Sequence, residues 1–297
     1  MNRLKANPYL LLTLTALFWA GNMVMGRGIR ADVPPIALAF WRWTIALILL
    51  APLALPQVRS QWRSLRAAWP TVVVLGLLGV GCYNTFAYLA LQHTTATSAT
   101  LLNSFIPIAT IAFGFLLFGK RLSRAEIVGV MVSLLGVAAL VSHGSIDTLL
   151  ALTLNTGDLW MMAAVTVWGL YTVGLQKRPE GVDPMLMLAA FTVVGLLALT
   201  PAYLWELSGG RSINLNPVSF GGILYTGIFP GFLGYVFYNA GVAAVGPARG
   251  SLFIHLMPVF ATLLAAVFLG ERPQGYHFVG IALVLTGIFL TTRRQAG

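Results

Sequence analysis

Charged residues are scarce in this chain: Asp, Glu, Lys and Arg together make up 9% of its 297 residues. A water-soluble domain carries roughly 25%, so this composition excludes a surface turned wholly to water. Acids are scarcest. Eight stand against eighteen Lys and Arg. All of them (Asp32, Glu126, Asp147, Asp158, Glu180, Asp183, Glu206 and Glu271) fall in connections or at the ends of apolar stretches. A proton-coupled exporter of organic cations needs a carboxylate within an apolar run, so that class is excluded. A sodium site finds no acidic ligand there either. The single cysteine, Cys82, excludes an internal disulfide and a cysteine-rich metal centre. No His-Glu-x-x-His, Gly-x-Ser-x-Gly or Walker motif occurs, which argues against an enzyme embedded in the membrane and against ATP hydrolysis. No metal and no cofactor is expected.

Apolar residues dominate instead. They make up 58% of the chain, the mean hydropathy is +0.84, and they come in runs long enough to cross a bilayer. Breaks at charge, Pro or Gly divide the chain into ten spans, at about 9–29, 34–55, 69–91, 97–118, 124–142, 158–176, 184–205, 217–241, 247–269 and 274–292. The charge-free stretch from Ala6 to Gly26 exceeds the apolar core of a signal peptide, about 7–15 residues, and reads as the first span. With the N-terminus inside and the spans alternating, thirteen Lys and Arg fall on the cytoplasmic side and four outside, leaving Arg42 within a span. This bias predicts that both termini are cytoplasmic. It also accounts for the net charge of +10 without invoking nucleic acid.

The chain matches itself. At an offset of 149, Trp19 meets Trp168, Pro35 meets Pro184 and Pro52 meets Pro201. At an offset of 151, Phe86 meets Phe237, Pro107 meets Pro258, Gly119 meets Gly270, Arg121 meets Arg272, Gly129 meets Gly280 and Gly136 meets Gly287. The expectation is an all-α membrane protein built from two five-helix repeats, 1–143 and 144–297. An odd number of spans per repeat makes the two inverted, which places a binding site near the midplane at their interface.

Polar residues inside spans are costly in lipid and so become site candidates. They are Trp19 and Asn22 in the first span, Tyr83, Asn84 and Tyr88 in the third, and Asn103 in the fourth. Trp168 and Tyr171 lie in the sixth, Tyr235, Tyr238 and Asn239 in the eighth, and Ser251 and His255 in the ninth. Asn84 and Tyr88 are one turn apart, as are Tyr235 and Asn239. Two such aromatic-amide faces would suit a neutral or zwitterionic metabolite. Each of these residues also has a packing or interhelical reading. Pro107 and Pro258 predict kinks that free the carbonyls of Asn103 and Ile254. Arg42 has no acid nearby in sequence. Its readings are an anchor for a substrate carboxylate, a clamp on backbone carbonyls and an outward-reaching side chain. His255 reads equally as a substrate or proton contact and as a neutral packed residue. His93, His143 and His277 carry no distinct signal.

The run Pro107-Ile108, Gly119-Lys120-Arg121, Val128-Gly129 and Gly136 recurs as Pro258-Val259, Gly270-Glu271-Arg272, Val279-Gly280 and Gly287. It resembles the duplicated EamA-type unit of the drug/metabolite transporter superfamily, most closely its YddG-type bacterial exporters of aromatic and other amino acids. Ala16-Leu17-Phe18-Trp19-Ala20-Gly21 and Arg42 also fit that unit. Lys120 stands where the second repeat has the family's usual Glu271. The resemblance implies a multi-pass protein of the bacterial inner membrane, a monomer or weak homodimer. Spans 3, 4, 8 and 9 would line a central cavity, spans 1, 2, 6 and 7 would move, and spans 5 and 10 would be peripheral. The expected function is export of amino acids or similar small metabolites by alternating access, facilitated or weakly coupled because no carboxylate lies mid-span and His255 is the one plausible titrating group there. Sugar phosphates or nucleotide sugars are the rival substrates, but they would want several convergent Lys or Arg.

Overall fold

The computed structural model describes residues 7–145, 147, 155–179, 181–269 and 274–292. Every secondary-structure element among them is helical, and ten helices are long and apolar enough to cross a membrane. They are α1 (Pro8–Gly28), α2 (Pro35–Ala67), α3 (Trp69–His93), α4 (Ser98–Phe118) and α5 (Arg124–Val141). They continue with α6 (Thr156–Lys177), α7 (Pro184–Ser208), α8 (Pro217–Val245), α9 (Pro247–Leu264) and α10 (Gly275–Thr292). Residues Arg3, Lys5, Glu180, Gly270, Glu271, Arg272, Arg293 and Arg294, used above for topology and motif, lie outside the described residues.

Helix boundaries follow local chemistry. Pro opens α1, α2, α7 and α8, where its missing N–H costs nothing. Capping boxes open α5 at Ser123 with Glu126, and α6 at Asn155 with Asp158. Gly119 closes α4 at φ 63°, a left-handed conformation that glycine adopts without steric cost. The largest departure from the expected boundaries is in α2. The second span was expected to end at 55, yet α2 runs on to Ala67 past Pro52 and Pro56. Charge ends the apolar run there but not the helix, because Gln, Arg, Leu and Ala are good helix formers.

Four helices are interrupted. A π-helical segment occupies Leu77–Cys82 within α3 and another occupies Gly227–Leu233 within α8. Helix α4 breaks between Asn103 and Ile106, and α9 tightens to a 3₁₀ turn at Phe253–His255. Both of these interruptions fall just before the prolines Pro107 and Pro258, as loss of a backbone donor dictates.

The main helix contacts pair α5 with α10, α2 with α7, α3 with α6, and α1 with α8. The packing is close enough to need glycine. A Cβ on Gly129 would stand 2.6 Å from the Gly287 carbonyl, and one on Gly136 would stand 2.7 Å from the Gly280 carbonyl. Backbones approach in this way where small residues line a membrane helix interface. Replacing Gly129 or Gly136 by Leu is therefore expected to destabilise the protein by about 1–3 kcal/mol, read as a lowered Tm in detergent. Gly114→Ala, whose Cβ would meet nothing within 4 Å, is the control expected to leave Tm unchanged.

Candidate functional site

The two π-helical segments shape the centre of the molecule. In α3 the Tyr83 N–H reaches back five residues to the Leu78 carbonyl, passing over Gly79. In α8 the Gly234 N–H reaches the Phe229 carbonyl, passing over Pro230. Side chains from other helices take up both bypassed carbonyls. The Tyr235 hydroxyl donates to the Gly79 carbonyl at 2.6 Å. Trp19 Nε1 and Arg42 Nη2 donate to the Pro230 carbonyl at 3.1 and 3.0 Å. Such satisfaction by neighbours is what allows broken helices at membrane depth, and π-segments recur at functional sites.

Around these carbonyls lies a buried aromatic cluster. Trp19 meets Trp168 edge-on at a centroid separation of 5.0 Å and Tyr238 at 5.0 Å. Trp168 contacts Tyr83 at 4.4 Å and Tyr171 at 5.0 Å. Tyr235 contacts Trp168 at 5.2 Å and Trp43, edge-on, at 4.6 Å. The polar ends are held in specific pairs. Asn84 Nδ2 donates to the Tyr235 hydroxyl at 3.0 Å, Tyr83 to Asn103 Oδ1 at 3.0 Å, and Tyr171 to Asn239 Oδ1 at 2.9 Å. The hydroxyls of Thr172 and Tyr238 pair at 2.9 Å.

Arg42 is 1% exposed. Its Nη1 donates to Asn22 Oδ1 at 2.9 Å and to the Tyr88 hydroxyl at 3.0 Å, and Tyr88 in turn donates to Asn22 at 2.8 Å. Of the three sequence readings of Arg42, the outward-reaching one is not what the structure has. The guanidinium turns inward, because Asn22, Tyr88 and the Pro230 carbonyl offer it acceptors that lipid cannot.

The structure thus gathers Trp19, Asn22, Tyr83, Asn84, Tyr88, Asn103, Trp168, Tyr171, Tyr235, Tyr238 and Asn239 into one contiguous centre, together with Arg42. Ser251 and His255 stand apart in their bonding. Ser251 donates to its own helix at Ala248. His255 Nε2 lies 2.8 Å from the Ser104 carbonyl and so carries the proton, while Nδ1 accepts from Ser133 at 2.7 Å. The fully buried ring is a neutral cross-link between α4, α5 and α9, and neither nitrogen is left for a ligand in this conformation.

Other features were not foreseen. Glu206, at the end of α7, accepts from the Ile36 and Ala37 N–H groups at 3.3 and 2.7 Å and so caps α2 across 170 residues of chain. Asp158 accepts from Thr94 at 2.7 Å. Trp43 is fully buried within the cluster. Glu126 and Arg249, on α5 and α9, form an ion pair at 3.3 Å. A cavity of about 270 Å³ lies among α1, α4, α5, α9 and α10. Its lining includes Met23, Thr100, Leu140, Pro258 and two histidines without a sequence signal, His143 and His277. Spans 5 and 10 therefore contribute to a cavity rather than serving only as periphery, while the centre between α3 and α8 is filled by its own aromatic side chains.

Ten apolar helices around a buried, hydrogen-bonded aromatic centre define a multi-pass membrane protein with the interior of a transporter. A profile of the EamA-like transporter family matches residues 7–142 and again 155–293, and the chain belongs to that family of transporters. An uncharacterized transporter of Archaeoglobus fulgidus is 28% identical over 296 residues, covering 98% of this chain and 99% of its own. A protein of Streptantibioticus cattleyicolor named "Probable terminal-alkyne amino-acid exporter" is 28% identical, covering 96% and 93%. Bacillus subtilis transporter YyaM is 22% identical, covering 95% and 92%. A known crystal structure superposes with a TM-score of 0.78 at 22% identity over 96% of each chain, which shows the fold.

Tyr235 binds both Asn84 and the Gly79 carbonyl through one oxygen, so Tyr235→Phe leaves two buried polar groups without that partner. The expected loss is about 1–3 kcal/mol of stability, measured by unfolding in detergent. Tyr9→Phe, in the first turn of α1, is expected to cost nothing measurable.

Proposed function

We propose that this membrane transporter moves amino acids, aromatic and other neutral ones, by alternating access between two inverted five-helix units. The units are 1–143 and 144–297, in a bacterial inner membrane with both termini cytoplasmic. The observation that carries the substrate reading is the central cluster. Flat aromatic walls, amide and hydroxyl groups and one guanidinium match an apolar side chain, an ammonium and a carboxylate. A single buried cation suits a carboxylate better than a phosphate ester. The amino-acid exporter of S. cattleyicolor supports the same class.

Several contacts support two inverted units. Gly79 and Pro230, the two bypassed carbonyls, are separated by the repeat offset of 151. Asn84 and Tyr235 are matched positions and touch each other, as do Trp19 and Trp168. Self-contact between equivalents is what residues on a twofold axis do. Gly129 meets Gly287 while Gly136 meets Gly280, the reciprocal pattern of an isologous contact.

The two mouths differ, and this supports alternating access. The Glu126–Arg249 pair lies at the starts of α5 and α9, whereas the 270 Å³ cavity lies toward the far end of α5. The positions matched to the pair at an offset of 151 are His277 and Ser98, which cannot form an ion pair of that kind. This conformation is thus latched on the proposed cytoplasmic side and looser on the outer side.

Uptake of labelled aromatic amino acids into proteoliposomes is expected to saturate and to persist without a pH gradient. Transport of some other metabolite, with none of the amino acids moving, would replace the substrate and leave the fold. Glu126→Gln is expected to open the latched side. A cysteine introduced as Ala240→Cys in a Cys82→Ser background should then label severalfold faster with a membrane-impermeant maleimide from the cytoplasmic face. Unchanged labelling would remove the latch from the account.

A further inference from the structure

Among the described residues no carboxylate is recorded against the buried Arg42 guanidinium. Its two terminal nitrogens meet only neutral acceptors, namely Asn22, Tyr88 and the Pro230 carbonyl. Neither the hydrogen bonds nor the ion pairs recorded among the described residues bring an acid to it. Three buried donors of the centre have no recorded acceptor: Arg42 Nε and the indole Nε1 groups of Trp43 and Trp168, of which the Trp43 ring is the one beside the guanidinium. The guanidinium carbon is 5.4 Å from the Trp43 ring and 5.9 Å from the Tyr235 ring.

An unpaired cation and an unpaired N–H in a dry interior are each unfavourable, and both lack the same thing. Each is a donor, so the missing partner is an acceptor, and the formal charge makes it an anion. Lipid supplies none, the cluster is buried, and the acids with recorded partners among the described residues are engaged elsewhere. Asp158 and Glu206 are spent on helix N-termini and Glu126 on Arg249. A planar carboxylate arriving with the substrate would accept from both donors while the substrate's apolar part rests on Tyr235 and Trp168.

We propose that Arg42, assisted by Trp43, binds the carboxylate of the transported molecule and sets selectivity for carboxylates over analogues in which the carboxylate is amidated or missing. This rests on the amino-acid reading only for the nature of the rest of the substrate. Arg42 is then both the clamp that holds α1, α2, α3 and α8 together and a specificity residue. Opening of the cluster exposes the cation, and the bound anion compensates it when the cluster closes again.

The test compares phenylalanine, phenylalaninamide, phenethylamine and 3-phenylpropanoate, both as transported solutes and as ligands that raise Tm. Wild-type protein is expected to prefer the two acids over the amide and amine by about tenfold or more. Arg42→Gln should abolish the preference, Arg42→Lys should retain part of it, and Trp43→Phe should weaken it while lowering Tm only by the cost of the ring volume it removes. If Arg42→Gln fails to fold, the wild-type ranking and the Trp43→Phe variant still decide. Equal handling of acid and amide by the wild type, or neither transport nor protection with either acid, overturns the assignment. Preference for 3-phenylpropanoate with no response to phenylalanine would instead remove the amino-acid reading and keep Arg42 as the carboxylate anchor.

Discussion

A backbone carbonyl released from its helix inside a bilayer finds no water, and it must be satisfied by the protein or not be released at all. The interior of this transporter is organised around two such carbonyls. Gly79 and Pro230 are set free where α3 and α8 widen into π-helix, and each is claimed by side chains from other helices. Tyr235 reaches across from α8 to α3, while Trp19 and Arg42 reach from α1 and α2 to α8. These bonds tie the helix packing to the polar centre, because any motion that separates the helices must first exchange them. Aromatic rings around these carbonyls approach one another at 4.4–6.1 Å and fill the centre.

The remaining polar residues divide by what they satisfy. Glu206 and Asp158 serve helix N-termini, where a carboxylate meets unpaired N–H groups and the positive end of the helix dipole. His255 joins three helices through both ring nitrogens. Arg42 differs, since its charge meets only neutral dipoles. A cation in that position is held by hydrogen bonds alone, and its Nε is left without a recorded acceptor.

Much of this was legible in the residues. Span number followed from charge scarcity and run length, and the helix interruptions before Pro107 and Pro258 followed from the missing backbone donor. The polar residues of the third and eighth spans were marked by the high cost of placing them in lipid. What could not be read was long-range partnership. Nothing near Glu206 in sequence announces that it caps α2, because the cap depends on how α7 packs on α2. His255 was ambiguous for the same reason, as Ser133 and the Ser104 carbonyl reach it only in three dimensions. The π-segment of α3 has Gly79 and Gly81 but no proline, and its glycines read equally well as close packing. The cavity beside His143 and His277 arises from the meeting of five helices, none of which carries a motif for it. Arg42 stood out by charge, but its inward direction is set by Asn22 and Tyr88 on two other helices.

On the proposed function, substrate occupies the aromatic centre between Trp19, Trp168 and Tyr235, beside Arg42. The most direct measurement is a density map of the protein in lipid nanodiscs with saturating phenylalanine, compared with a ligand-free map. Added density is expected in that centre, with the rings of Trp19 and Trp168 parted to admit it. Density confined to the cavity lined by His143 and His277, over an unchanged central cluster, would contradict it.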